Sequence, residues 1–253
     1  SISGIGICVP GIYYSETGHV WAPNIPGWEY YPLLEELSDS MKGSSVQIKI
    51  DSDRACYILG ETWLGAAKNS KNAIFMAIGT GIGAGIICDG RILRGFGDIA
   101  GSVGWMGLTP EYRNQYRSCG CFEYHASGEG ILKSANDLIA ANKNKTGSRK
   151  KFYNNTAEIF EAYDKGEDIA VYILEEAIKY WGRASANIVS LFNPEIIVFG
   201  GGVFGPASRF ISQIKKEAER WAQPVSMKQV TFGLSVLGGN AGLAGAGRLA
   251  LQI

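Results

Sequence analysis

The 253-residue sequence lacks most of what would direct it to a membrane, a nucleic acid or an oxidising compartment. No apolar run reaches the roughly 20 residues that a bilayer-spanning helix needs. The start, Ser1-Ile-Ser-Gly-Ile, carries no charged n-region, so no signal peptide is expected. Basic and acidic residues balance at 24 each, with no basic stripe for a phosphate backbone and no acidic tail. Two histidines, His19 and His125, leave little from which to build a metal centre. Five cysteines, an odd number without framework spacing, argue against a disulfide scaffold and suit a reducing cytoplasm. What remains is 46% hydrophobic and 19% charged, an ordinary globular balance. That length suits one large domain or two lobes of about 100–150 residues. Only glycine is in surplus, 34 residues gathered in particular loops, a pattern that lets backbone approach a ligand closely.

The densest glycine cluster lies in Asn72 to Gly95. A buried run, Ala73 to Ile78, leads into glycines 79, 81, 83 and 85 with Thr80 among them, and a second run covers Ile86 to Cys88. Asp89-Gly90 between short apolar segments predicts a hairpin, because both turn positions favour positive φ. The glycine loop is therefore expected between two strands. Gly79-x-Gly81-x-x-Ala84 superficially fits a dinucleotide fingerprint, but that motif needs a helix N-terminus to receive the pyrophosphate. This discounts a dinucleotide-dependent oxidoreductase. A glycine-lined turn between strands offers N–H groups to a phosphate instead, or is a hairpin that binds nothing.

Periodicity predicts strands over 2–9, 46–50, 195–199 and 230–237. A short hairpin turning at Ser15–Gly18 is expected, then a proline-containing loop over 22–28. Helices are expected over 31–41, 54–68, 127–142, 156–165, 168–191, 206–221 and 241–251. From Asn72 onward the order is three strands, helices, strand, helix, strand, helix. That is the plan of one actin-like (ribonuclease H-like) α/β lobe. Before Asn72 there is only strand, helix, strand, helix, the expected second half of a preceding lobe whose first half would lie upstream of Ser1. The expected lobes are 1–71 and 72–253, hinged near 51–72, with the last helix (240–251) packing back on the first.

Asp53 follows a strand and begins a helix. By spacing alone it suits a helix N-cap best, and the same position also presents a carboxylate to ligands at the carboxyl end of a strand. Seven segments in order, IGICVPG (5–11), APNIPGW (22–28), DSDRACYILGE (51–61), IGTGIGAGII (78–87), AGSVGWM (100–106), GCFEYHASG (120–128) and NPEIIVFGGGV (193–203), resemble the ROK family of sugar kinases and repressors. The resemblance runs from about residue 2 to 253. It implies Asp53 as general base toward a sugar hydroxyl, with Gly79, Thr80, Gly81 and Gly83 at the ATP phosphates. Gly200, Gly201 and Gly202 would face the adenosine end. Gly11, Asn24, Ser52, Ser102, Trp105 and Glu123 fall at or beside sugar-side positions, although Glu123 by itself also reads as a solvated carboxylate.

Departures from the family pattern carry as much information. Family kinases place Asn before the catalytic Asp, where Ser52 stands. Their E-x-G-H stretch supplies a sugar-binding Glu and a zinc-binding His, where Ser102 and Trp105 stand. Of three further zinc cysteines only Cys121 remains, with Asn114 and Tyr116 in the other places. Cys119, Cys121 and His125 amount to at most three ligands, and structural zinc closes with four, so no zinc is expected. The loop is expected to be held by Trp105, Tyr112, Tyr116 and Phe122, with Trp105 filling the vacated space. The family's D-x-G-G-T phosphate loop matches nothing here, nor is the repressors' helix-turn-helix visible. The implied activity is ATP- and Mg²⁺-dependent phosphorylation of a hexose or related sugar by a cytoplasmic homodimer. The alternative is a non-catalytic sugar-sensing regulator domain.

Overall fold

The computed structural model describes residues 2–146 and 152–252, without the side chains of 142–146. β1 (Gly4–Val9) pairs in parallel with β4 (Gln47–Ser52), setting Ile5 opposite Ile48 and Ile7 opposite Ile50. Between them run the antiparallel pair β2 (Ile12–Tyr14) and β3 (His19–Trp21), and the helix α1 (Leu33–Ser40). Ser52 closes β4 and caps α2 (Asp53–Leu64), its side chain accepting from the Ala55 N–H. The cap is thus Ser52, one residue earlier than the position the sequence offered for it, and Asp53 is the first residue of the helix.

The second sheet has the order β7-β6-β5-β8-β9. β5 (Ala73–Ile78), β6 (Ile82–Cys88) and β7 (Arg91–Ile92) form the antiparallel meander. Asp89 and Gly90 turn between the last two with φ of 49° and 76°. β8 (Ile196–Gly200) and β9 (Thr231–Leu234) extend the sheet in parallel from β5. Because side chains alternate across a strand, β5 serves two cores. Ile74, Met76 and Ile78 join the larger, with Trp181 and Leu174 of the long helix α6 (Asp168–Phe192). Ala73 and Phe75 join the smaller, with Ile58 and Leu59 of α2. Both faces of the sheet are covered, as the continuous apolar run at 73–78 requires.

α3 (Cys121–Ala126), α4 (Gly128–Thr146) and α5 (Thr156–Asp164) precede α6. α6 ends at Asn193 in the left-handed conformation, with Pro194 behind it. After β8, a 3₁₀ segment (Pro206–Phe210) leads into α7 (Ile211–Glu219), where one continuous helix was expected. α8 (Pro224–Gln229), like α3, is too short to show a period in sequence. α9 (Ala241–Ala250) packs on α2, β1 and β4. The approach is very close: a Cβ on Gly245 would strike the Cys56 carbonyl, and one on Gly60 the Ala241 carbonyl. Gly245→Val is expected to lower stability by about 1–3 kcal/mol or more through overpacking, read as a lower denaturation midpoint with the slope unchanged. A midpoint equal to the parent's would show that the two helices can separate freely.

The glycines of the central hairpin do not form one loop. β6 begins at Ile82, so Gly83 and Gly85 are strand residues, and the run expected at 86–88 starts four residues early. A Cβ on Gly85 would meet the Arg54 carbonyl, and one on Gly83 would come 2.6 Å from Arg54 Cδ. Both glycines make room for the start of α2, a packing role that local sequence cannot distinguish from a loop role.

Candidate active site

A cleft of about 940 Å³ lies where the strand ends converge. β5, β8 and β9 are parallel, so Gly79, Gly200 and Leu234 come to one edge of the sheet, where open α/β sheets receive ligands. The β5–β6 turn is tight: Gly79 N–H donates to the Gly81 carbonyl at 3.0 Å, and Gly128 N–H to the Gly79 carbonyl at 2.8 Å. Among the described residues the Thr80 and Gly81 N–H groups have no acceptor. Two adjacent donors left open at a cleft wall form a concavity suited to an anion.

The three glycines after β8 have different tasks. Gly200 leaves room for the Phe75 ring. Gly201, at φ 93°, takes a backbone conformation that side chains disfavour, and also passes the Ile78 carbonyl closely. Gly202 has no neighbour within 4 Å of where a Cβ would sit, and it lines the cleft.

Asp53 faces the same cleft from the start of α2. Burial holds its carboxyl above the usual carboxylate range, against the pull of the Arg54 backbone N–H at 2.7 Å, the Arg54 charge and the Tyr57 hydroxyl. A carboxylate made more basic in this way is better matched to accepting a proton at neutral pH. Glu123 projects from α3 under the hairpin, where its Oε2 accepts from Ile82 N–H at 2.6 Å. Burial raises its pKa as well. It is therefore half-enclosed and tethered, unlike a solvated surface carboxylate. Gly81 and Gly104 leave the space this carboxylate occupies.

The cleft brings together Gly11, Asp53, Gly79, Thr80, Gly81, Gly83, Ser102, Trp105, Glu123, Gly200, Gly201 and Gly202. Two sugar-side expectations fall elsewhere. Ser52 is buried and occupied as the α2 cap. Asn24 is exposed on its loop and does not line the cleft. Trp105 does not fill a vacated metal space. It is 58% exposed and lines the cleft. Residues not foreseen include Arg54, Tyr57, Ser235, Gly238 and Gly239. The last two read in sequence as a helix start; their place just after a parallel strand was the available signal. Ser235 is positioned by the fully buried Glu61, whose carboxylate accepts from the Ser235 hydroxyl and the Ala66 N–H.

The residues near the family's zinc positions do not fit a metal. His125 Nε2 is hydrogen-bonded to the Tyr116 hydroxyl at 2.8 Å, and its ring stacks on Tyr180 at 4.4 Å and 4°. Cys121 Sγ lies 3.5 Å from the Thr109 hydroxyl. Among the described residues no three His, Cys, Asp or Glu side chains gather as a ligand set. Tyr116 and Phe122 are buried here as expected, whereas Tyr112 touches Tyr116 from an exposed position.

Burial pushes the His125 pKa down from 6.5 to about 4. The unfolded chain then binds more protons between those values, so the stability tied to a neutral His125 is complete above pH 6.5 and lost as pH falls toward 4. His125→Phe is expected to flatten the fall in Tm across that window, measured by thermal melts at fixed ionic strength. An unchanged slope would contradict the assignment.

A β-meander continued by parallel β8 and β9 in one five-stranded sheet, the separate parallel pair β1–β4, and a cleft at the strand ends define the actin-like ATPase class of fold. Comparisons with known proteins agree. The ROK family profile matches residues 1–253. A glucokinase from Halalkalibacterium halodurans is 32% identical over 255 residues, covering 98% of this chain and 76% of that protein. A xylose repressor from Caldicellulosiruptor bescii is 30% identical over 224 residues, 85% of this chain and 54% of the repressor. The crystal structure of a ROK family glucokinase from Streptomyces griseus in complex with glucose and AMPPNP superimposes with a TM-score of 0.78 at 27% identity, covering 100% of this chain and 83% of that one. The chain belongs to the ROK family.

Proposed function

We propose that the cleft transfers the γ-phosphoryl group of ATP to a hydroxyl of a hexose or related sugar. The observation that carries this reading is that Asp53 and the open Thr80 and Gly81 N–H donors line one cleft. The Asp53 carboxylate accepts the hydroxyl proton as the sugar oxygen bonds to the γ-phosphorus. The bond from that phosphorus to the β–γ bridging oxygen breaks, and ADP leaves. The hairpin donors hold the phosphates and Gly200, Gly201 and Gly202 form the wall at the adenosine end, while Ser102, Trp105 and Glu123 bound the sugar end. Mg²⁺ would ride on the β- and γ-phosphates and neutralise their charge, since it usually binds through substrate phosphates. The Streptomyces griseus complex, which holds glucose and AMPPNP, supports ATP and a sugar as ligands.

The reading includes two lobes, 1–71 and 72–253, hinged near 51–72 and closing on the ligands. It also includes a homodimer, which rests on the family likeness, and a cytoplasmic location, which the five unpaired cysteines suit. Among the described residues no helix is long and apolar enough to cross a membrane.

A second reading has a specific basis: Ser102 and Trp105 stand where family kinases carry Glu and His, and the relatives include xylose repressors. The cleft would then bind sugar without turnover. ADP release by the complete gene product, screened over a panel of sugars and paired with calorimetric binding, separates the two. Sugar-dependent ADP release supports the kinase, and sugar binding without ADP release supports the sensor.

A further inference from the structure

Arg54 is the charged residue lining this cleft that the phosphotransfer reading does not use. Its guanidinium Nη1 donates to Ser102 Oγ at 3.3 Å, its one side-chain hydrogen bond among the described residues. Ser102 Oγ is itself held by donating to the Ile99 carbonyl at 2.9 Å. The Arg54 stem lies against Gly83, where any side chain would displace it. Stem and head are therefore fixed before a ligand arrives, which reduces the ordering cost of binding.

What Arg54 lacks is a carboxylate in contact, since the Asp53 charge acts on it from beyond ion-pair distance. Arg94 is paired with Asp51, Arg209 with Asp164, and Arg183 and Arg220 with Glu217. No carboxylate of the described residues lies within 4 Å of the Arg54 guanidinium. Asp53 is its neighbour in sequence, yet that carboxylate's bond is to the Arg54 backbone N–H. Burial lowers the Arg54 pKa, with only the Asp53 charge opposing it. A partly desolvated guanidinium with one neutral hydrogen-bond partner and no carboxylate in contact favours an incoming anion, and its fork matches a carboxylate or phosphate. The residue at position 102 is a neutral hydroxyl, so the side chain bonded to the guanidinium adds no repulsion, and Asp53 and Glu123 are the two carboxylates of the cleft from which an acidic group must be held apart.

We propose that Arg54 selects a sugar bearing an acidic group, a carboxylate or a phosphate ester, on a carbon other than the one phosphorylated. This rests on the reading of the cleft as a sugar site and goes beyond it in naming the substrate class. Discrimination by a site with a charged group awaiting a partner is strong, because the neutral analogue leaves that group unpaired.

The test uses the complete gene product and matched probes: neutral hexoses, the corresponding hexuronates and aldonates, and hexose monophosphates. Calorimetry reports binding and ADP release reports turnover. The expected result is an acidic sugar preferred at least tenfold over its neutral counterpart. Arg54→Ala should reduce that preference at least tenfold, and Arg54→Lys should retain part of it. The uronate and phosphate arms identify which anion is taken. Arg54→Gln, checked by circular dichroism, serves if the alanine variant does not fold. Equal or better binding of the neutral sugars overturns the proposal. So does an Arg54→Ala effect that appears in the KM for ATP and not in the preference among sugars. Arg54-dependent binding of an acidic sugar without ADP release upholds this inference and defeats the kinase reading. ADP release on neutral sugars, with no preference for acids, does the reverse.

Discussion

Asp53→Asn is expected to lower kcat for the best sugar by about 10²–10⁴-fold, the usual contribution of a positioned general base. The substitution keeps the shape of the side chain and removes its capacity to accept the hydroxyl proton. Sugar affinity should stay within about threefold, because a group used mainly in the transition state contributes little to ground-state binding. The helix should survive, since its cap is Ser52 and not Asp53. That separation of roles gives the mutation its interpretive value: a loss of activity with an unchanged melting temperature cannot be ascribed to a lost cap. Steady-state ADP release together with calorimetric sugar binding provides the check. An unchanged kcat removes Asp53 from the role of base.

The largest expected effect on stability comes from a different carboxylate two residues earlier. Asp51 is 2% exposed and receives both Arg94 Nη1 at 2.9 Å and Nη2 at 2.6 Å. The Asp51 bond pushes the Arg94 pKa up. Arg94 is 36% exposed, so removing it strands only the buried Asp51 charge, and solvent screening brings the cost to the low end of the about 3–5 kcal/mol of a fully buried pair. Arg94→Ala should accordingly lower Tm by about 6–12 °C for a chain of this size. Asp51→Leu combined with Arg94→Met should recover much of that loss, because two apolar groups leave no charge uncompensated. A single variant as stable as its parent would show that the pair is solvated in solution. The pair also bears on the cleft. Asp51 Oδ1 accepts from Ser52 N–H, and Arg94 lies 3.9 Å from Asp98, which in turn holds Ser15 of the β2–β3 turn. Loss of Arg94 should therefore also loosen the strand end that presents Asp53.

Much of the architecture was legible because it depends on local pattern. The run 73–78, the Asp89-Gly90 turn and the Asn193-Pro194 stop each have a short-range cause, and the sheet follows from their order. The site was less legible where the cause is long-range. Gly83 and Gly85 have the composition of a loop, but the backbone and stem of Arg54, some thirty residues earlier, make them strand glycines. Trp105 is open to the cleft, whereas His125 packs against Tyr116 and Tyr180 away from it in contacts that do not include Trp105. Nothing in the spacing of 105, 116 and 125 announces that stack, since Tyr180 comes from a helix far along the chain. Arg54 went unnoticed because an arginine in the first turn of a helix ordinarily faces solvent. Only the fold brings its head beside Ser102.

The most direct test of phosphotransfer follows the complete gene product with ATP, Mg²⁺ and the best-binding sugar by ³¹P nuclear magnetic resonance. The account predicts a new phosphomonoester signal that grows in step with ADP and is absent with Asp53→Asn. Sugar binding with ATP left intact, or ADP accompanied only by inorganic phosphate, would contradict it.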